Sequence, residues 1–484
     1  MTIGIIAAGA YIPRLRLARR VIAESNSWLN PALMGQAKGE RAICNWDEDA
    51  VTMAVEAGRD ALAGRDRELI TGLYLASTTF PFVDRLNAGI VAEALNLPIG
   101  VAALDVAGTQ RAATSALRNA LGGSGQTLIV ASEKRRAKAA SPIEMASGDA
   151  AASILVGDGK PIARLVASAT RTADFVDHYR TMESVYDYQW EERWVRDAGY
   201  LPIVPPVITR CLESASLKPS DVTYFCMPTA LPRTANAIAK VAGIPETAIG
   251  DNLHAGCGDT GVTHPLIMLV AALEKAKPGD RILTVGFGQG ADALLFEVTA
   301  AMPKLPGRLG VSGYLARRYE ETNYARFLAF NDNIEIERGM RAEADKLTPL
   351  SALWRNREAV TGFIGGRCRT CGTLQFPKSR ACVNPNCNAF DTQEPHPFAD
   401  KIGRINSYTA DRLTYSPDPP ACYGMIQFDD GGRWMMDFTD VASDSLAIGI
   451  PMRMTFRVKD VDAQRHFRRY FWKAAPAQSA SGSA

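Results

Sequence analysis

No apolar run in this sequence approaches 18 residues, so no membrane-spanning helix is expected. An excess of charge is missing too. With 54 Lys and Arg against 52 Asp and Glu, the net charge is +2, and nothing suggests binding to nucleic acid or to a membrane surface. The N-terminal MTIGIIAAGAYIP has no basic segment and soon reaches Pro13; it reads as a first strand and not as a signal peptide. Histidine is scarce, five in 484 residues. Most telling is a missing cysteine. The stretch Leu104–Leu117, LDVAGTQRAATSAL, runs from a short apolar approach through a small-residue turn into an Ala-rich helical stretch. Enzymes often mount a nucleophile at such a turn, yet this one holds Gly108 and Thr109, and the nearest cysteines in sequence are Cys44 and Cys211.

The chain is 47% hydrophobic and 22% charged, as in an ordinary globular protein, and its length calls for two or three domains. Through residue 300, strand-like runs alternate with helical ones. IGIIAAGAY precedes DEDAVTMAVEAGRDAL, whose Val51, Ala54 and Val55 recur at helical spacing and which Asp47 could cap. LYLAS, ALDV, TLIVASE and AASILVGD follow, then VTYFCMP, HPLIMLVAALEKA and ILTVGFGQGADALLFEV. Continuous Val/Ile/Leu runs with helices between them argue for buried sheet layers in an α/β fold. TLIVASE…AASILVGD and ILTVGFGQGADALLFEV share one plan, a buried strand, a Gly-containing turn and a second apolar strand, which fits two related halves. Residues 301–361 are richer in Arg and Glu and read as a connector. Short strands such as IGRINSYTA and MRMTFRV then suggest a small β-barrel, and residues 474–484, small and polar, a disordered tail.

Cys368, Cys371, Cys382 and Cys387 form C-x2-C…C-x4-C, with Gly372 behind the first pair. Two such knuckles converge four thiolates on Zn²⁺, and four protein ligands make the site structural. Nine cysteines, four of them so clustered, point to a reducing, cytoplasmic setting and not to a disulfide framework.

The first 300 residues resemble the thiolase superfamily, nearest to 3-hydroxy-3-methylglutaryl-CoA synthase and ketoacyl synthase III. The stretches that carry the resemblance are GIIAAGAYIP, LYLASTTFP, LDVAGTQRA, VASEKRRAKAAS…GDAAASILVGDG, FVDHYR and KPGDRILTVGFGQGAD. Residues 362–473 resemble the zinc-ribbon and OB-fold proteins that accompany acyl-CoA thiolases. The resemblances imply a duplicated α-β-α-β-α fold with halves at 1–165 and 166–300, a zinc ribbon at 362–395 and an OB-fold at 396–473. They also imply a homodimer and an acyl-CoA substrate, coenzyme A entering as part of that substrate.

Matched onto the synthases, Gly108 takes the place of the nucleophilic cysteine, Thr78 that of the glutamate, Cys226 that of the histidine and Asp259 that of the asparagine. The acyl-cysteine route lacks its thiolate at that turn. Cys226 or Cys257 could be a relocated nucleophile, or each could be a small buried hydrophobe. Aldol or retro-aldol chemistry needs no acyl-enzyme; it needs a base and donors for the thioester enolate. Asp259 or Cys226 is a candidate base, and backbone N–H groups near Gly108, Gly288 and Gly290 are candidate donors. Thiolase-like aldolases of steroid side-chain degradation resemble this arrangement, lacking the cysteine and pairing with a zinc-ribbon OB partner. His264 could face the cavity or be structural, and the basic run SEKRRAKAAS could be a solvated loop or a CoA phosphate contact. A third reading is a non-catalytic acyl-CoA-binding scaffold.

Overall fold

The computed structural model describes residues 3–301, 308–347 and 349–477, in two compact units. The first holds most of the chain up to Glu335. Its strands are β1 (Ile3–Tyr11), β2 (Ile70–Ala76), β3 (Ala102–Val106), β4 (Gln126–Glu133), β5 (Ala150–Asp158), β6 (Ala163–Thr172), β7 (Tyr224–Cys226), β8 (Arg281–Phe287) and β9 (Gly290–Val298). They run in the order β7-β8-β9-β6-β1-β5-β4-β2-β3. The duplication is visible in this order. The hairpin β4–β5 and the hairpin β8–β9 occupy equivalent places, and the halves meet where β1 pairs with β6 over Gly4↔Arg164 and Ile5↔Ala163.

Helices complete the layers. α1 (Ala50–Ala61) covers β1, β4 and β5, and α3 (Leu201–Ser214) covers β6 and β9. Between the halves lie α2 (Ala112–Ala120) and α4 (His264–Leu273), each touching strands of both. This is the α-β-α-β-α arrangement, and it explains why the strands are near-continuous Val/Ile/Leu: they are covered on both faces. α1 is capped by Asp49, whose carboxylate accepts from the Val51 and Thr52 N–H groups, and not by Asp47. Asp47 belongs with the second unit, where it meets Lys473 Nζ at 2.9 Å.

The fully buried Asp292 locks α2 in place. It accepts from Thr114 and Ser115 on α2, from Thr170 on β6 and from Arg111, at 2.6–3.1 Å. Part of the expected connector is integral to this unit. Leu309 and Gly310 donate to Asp60, Tyr319–Glu321 pairs with Leu15–Leu17, and Phe327 joins a core cluster with Leu17 and Ile22. The Arg- and Glu-rich composition hid these contacts, because a few well-placed apolar residues suffice to dock short helices.

In the second unit, β10 (Ile364–Cys368) pairs with β11 (Leu374–Gln375) and β12 (Gln393–Pro397) to make the ribbon. A five-stranded antiparallel sheet follows: β13 (Ile402–Asp411), β14 (Ala421–Phe428), β15 (Arg433–Asp437), β16 (Pro451–Asp462) and β17 (Phe467–Pro476). A bridge from Phe438 to Ala474 draws its ends together as in a barrel. β17 runs past 473, because Ala474 and Ala475 are fully buried; only 478–484 of the expected tail lie outside the described residues.

Candidate active site

A cavity of about 110 Å³ opens in the first unit where the two central helices begin. Gln110, two residues before α2, lines it, as do Asp259, Gly261 and Pro265 at the start of α4. Gly108 does not. It is exposed, has φ +87°, and a Cβ there would meet nothing. The turn needs glycine for its left-handed backbone, and the residue it presents to the cavity is Gln110. Gly288 packs against this turn so closely that a Cβ would lie 2.9 Å from the Gln110 nitrogen.

Opposite Gln110 stands a dyad that the sequence reading did not single out. His178 Nδ1 lies 3.0 Å from Asp177 Oδ2, and His178 Nε2 lies 3.3 Å from Gln110 Nε2. Gln289 Nε2 donates to the other Asp177 oxygen at 2.9 Å. The carboxylate therefore accepts the Nδ1–H and leaves the lone pair on Nε2, where the Gln110 amide donates to it at the cavity wall. In the sequence the dyad shows only as DH within FVDHYR. Its partners are 68 and 112 residues away, which local pattern cannot reveal.

His178 sits on a short hairpin, His178–Tyr179 paired with Tyr188–Gln189. Asp187 ties that hairpin down: Arg180 Nη1 reaches one of its oxygens at 2.7 Å and Arg135 Nη2 the other at 2.7 Å. Arg135, from the basic run SEKRRAKAAS, is thus a buried residue of the cavity wall and no solvated loop residue. Its second neighbour is Asp259, with Nη1 to Oδ2 at 4.0 Å.

The other expected residues fall into place around this centre. Asp259 lines the cavity, but its Oδ1 already accepts the Gly261 N–H at 3.0 Å. Its position is set by close backbone contact: Gly148 N donates to the Asp259 carbonyl, and a Cβ on Gly148 would strike the Cys257 carbonyl oxygen. Cys226 and Cys257 are buried and do not line the cavity. Burial pushes each thiol up to about 12, and their sulfurs contact backbone carbonyls, that of Met268 for Cys226 and those of Leu253 and Gly258 for Cys257. Both are protonated and inert at neutral pH. Thr78 is committed to the buried Glu133, donating from Oγ1 at 2.7 Å and from its N–H at 3.2 Å. The Gly288 N–H donates to the Gly290 carbonyl and so is no free oxyanion donor, and neither Gly288 nor Gly290 lines the cavity.

His264 is structural. Its Nδ1 accepts the Thr260 N–H at 2.9 Å and its Nε2 lies 2.7 Å from the Asn252 carbonyl. Ligand atoms of His254, Asp259 and His264 come within 4.8 Å of one another, but both nitrogens of His264 are already committed, which excludes a cation there.

In the second unit the four cysteine sulfurs also fall within 4.8 Å of one another, with Cys368–Cys387 at 3.9 Å and Cys371–Cys382 at 3.6 Å. A zinc with four thiolates at ~2.3 Å has sulfurs about 3.8 Å apart, so these side chains fit the ion. Gly372, φ +76°, makes the turn that returns its N–H to the Cys368 carbonyl at 2.8 Å.

Comparison with known proteins agrees with both units. The family model for the 3-oxoacyl-[acyl-carrier-protein] synthase III C terminal matches residues 212–297. Those for the ChsH2 rubredoxin-like zinc ribbon and C-terminal OB-fold match 361–392 and 397–457. A hydroxymethylglutaryl-CoA synthase of Aeropyrum pernix is 30% identical over 329 residues, 66% of this chain and 91% of the relative. The chain belongs to the hydroxymethylglutaryl-CoA synthase family. The Pyrococcus furiosus member is 28% identical over 61% of this chain and 86% of its own length. Among solved structures of the fold, an HMG-CoA synthase complexed with CoA superposes with a TM-score of 0.58 at 19% identity, over 70% of this chain and 93% of that one. PksG, an HMG-CoA synthase from Bacillus subtilis, gives 0.60 at 15%, over 72% and 95%. Within the hydroxymethylglutaryl-CoA synthase family this chain is an enzyme of the thiolase superfamily whose cavity, among the described residues, has no cysteine in its wall. No described helix is long and apolar enough to cross a membrane.

Proposed function

We propose that this enzyme makes or breaks a carbon–carbon bond beside a CoA thioester by aldol chemistry, without an acyl-cysteine, and that its substrate is a β-hydroxyacyl-CoA. The observation that carries this reading is Gln110 facing the cavity 3.3 Å from His178, with no thiol in the wall. In the cleavage direction, His178 Nε2 takes the proton of the β-hydroxyl while Asp177 stabilises the imidazolium. The oxygen's electrons form the new carbonyl, the Cα–Cβ bond breaks, and its pair moves to the thioester oxygen as an enolate. The Gln110 amide N–H that does not meet His178 holds that oxyanion. The partly buried Tyr200 phenol, kept protonated by desolvation and by the charge of Asp177, supplies the proton to Cα. The products are an aldehyde or ketone and a shortened acyl-CoA.

Zinc in the four-cysteine site holds the ribbon, and the chain pairs with a second copy through the open sheet edge at β3. The free cysteines fit a reducing, cytoplasmic compartment. The test is turnover of a 3-hydroxyacyl-CoA with the carbonyl product trapped by a hydrazine. The wild type and the Cys226→Ala/Cys257→Ala double variant should release product at rates within about twofold. Loss of product only in the double variant would restore the acyl-cysteine route, and no product from the wild type would favour a binding scaffold.

A further inference from the structure

Two segments far apart in the chain make the reaction centre, and one turn grips both. It is Gly288, Gln289 and Gly290, where β8 passes into β9. On one side the Gly288 carbonyl accepts from Thr109 Oγ1 at 2.7 Å and from Arg111 Nε at 3.0 Å, the residues on either side of Gln110. On the other side the Gln289 carbonyl accepts the Ala173 N–H at 3.1 Å, and Gln289 Nε2 donates to Asp177 Oδ1 at 2.9 Å. The 3.3 Å between Gln110 Nε2 and His178 Nε2 is therefore set across this turn.

The middle of the turn is strained. Gly288, Gln289 and Gly290 have φ of +159°, +48° and +123°. Both ends require glycine, since a Cβ on Gly288 would lie 2.7 Å from Thr109 Oγ1 and one on Gly290 would strike the Arg171 carbonyl oxygen. At 289 glycine would again be the unstrained residue, because a left-handed φ disfavours any side chain. The chain places glutamine there instead. Its Oε1 is buried and has no hydrogen-bond partner among the described residues. Among those residues the Asp177 carboxylate is the one polar group to which the Gln289 side chain bonds. Backbone strain kept for a single contact inside a reaction centre points to a role in that centre.

The dyad shows what the contact does. Asp177 Oδ2 accepts the His178 Nδ1–H at 3.0 Å, and Oδ1 is taken by Gln289. The torsion that turns an aspartate carboxylate is soft, so one hydrogen bond leaves the group free to swing and a second fixes its plane. We propose that Gln289 is a positioning residue, which holds the Asp177 carboxylate in the plane of the His178 ring and is tolerated in a left-handed backbone for that purpose alone. The effect on turnover rests on the aldol reading; the effect on the dyad does not.

The test compares the wild type with Gln289→Gly and Gln289→Asn, both at ease at this φ and both too short to reach Asp177. Melting temperatures should be unchanged or raised. The chain has five histidines, few enough for isotope-labelled histidine to give a readable NMR spectrum. The wild type should show a downfield Nδ1–H resonance that His178→Ala removes, and both Gln289 variants should lose it to exchange with water. With a 3-hydroxyacyl-CoA, kcat should fall about tenfold or more while KM stays within about twofold, as expected when a base is misaimed and binding is untouched. A resonance that persists in Gln289→Gly, an unchanged kcat there, or the absence of the resonance from the wild type would each overturn the proposal. A lowered melting temperature in both variants would overturn it too, by making Gln289 an ordinary structural contact. If the wild type cleaves no 3-hydroxyacyl-CoA, the aldol reading falls and the resonance alone decides the role of Gln289.

Discussion

Gln110 offers the cavity an amide hydrogen and no nucleophile, and its other amide hydrogen meets the His178 lone pair, whose tautomer Asp177 fixes. These roles are separable by substitution. His178→Ala should lower carbonyl release by ~10²–10⁴-fold at little cost in stability, the range for loss of a general base. An unchanged kcat in that variant would dismiss the dyad. His254 bears on stability instead. Burial, and His264 beside it, push its imidazole down from 6.5 to about 4. Between those values the unfolded chain binds the proton that the folded chain refuses, so stability falls as pH drops from 6.5 toward 4. Urea midpoints measured across that window should decline for the wild type and decline less for His254→Gln. At this scale the sequence was only partly legible. The missing cysteine could be read directly. Which residue of AGTQ faces the cavity could not, because that depends on the left-handed turn at Gly108. Nor could His178, because its role is made by Gln110 and Gln289 from distant segments.

Elements were far more legible. The Val/Ile/Leu runs of β4, β5, β8 and β9 marked strands covered on both faces, and the repeated strand–turn–strand plan marked the duplication, since burial leaves few other side chains possible there. The ribbon was legible because metal ligands must recur at knuckle spacing. The docking of 308–335 and the hairpin at 178–189 escaped notice, being short segments held by side chains and not by periodicity. The ribbon's dependence on metal is open to test. The purified chain should carry one zinc per chain by mass spectrometry, and Cys371→Ser should lose it and expose β10–β12 to protease while the first unit stays resistant. A zinc-free wild type with an equally resistant ribbon would contradict the assignment.

At the scale of the whole molecule, β3 ends the large sheet, and among the described residues no strand pairs with its outer edge; its Leu104 is exposed. Open edges of this kind recruit another strand, and a second copy of the same edge is self-complementary about a two-fold axis. Light scattering should return twice the chain mass of 52.3 kDa for the wild type and the chain mass for Leu104→Pro. A monomeric wild type would refute the pairing. The two halves, the central helices and the hairpin converge on one cavity that has the architecture of a condensing enzyme without its sulfur. The most direct measurement is the intact mass of enzyme quenched during steady turnover of a 3-hydroxyacyl-CoA. Aldol cleavage without an acyl-enzyme leaves the protein unmodified at every time point while carbonyl product accumulates. A protein population heavier by the acyl group, appearing and decaying with turnover, would contradict it.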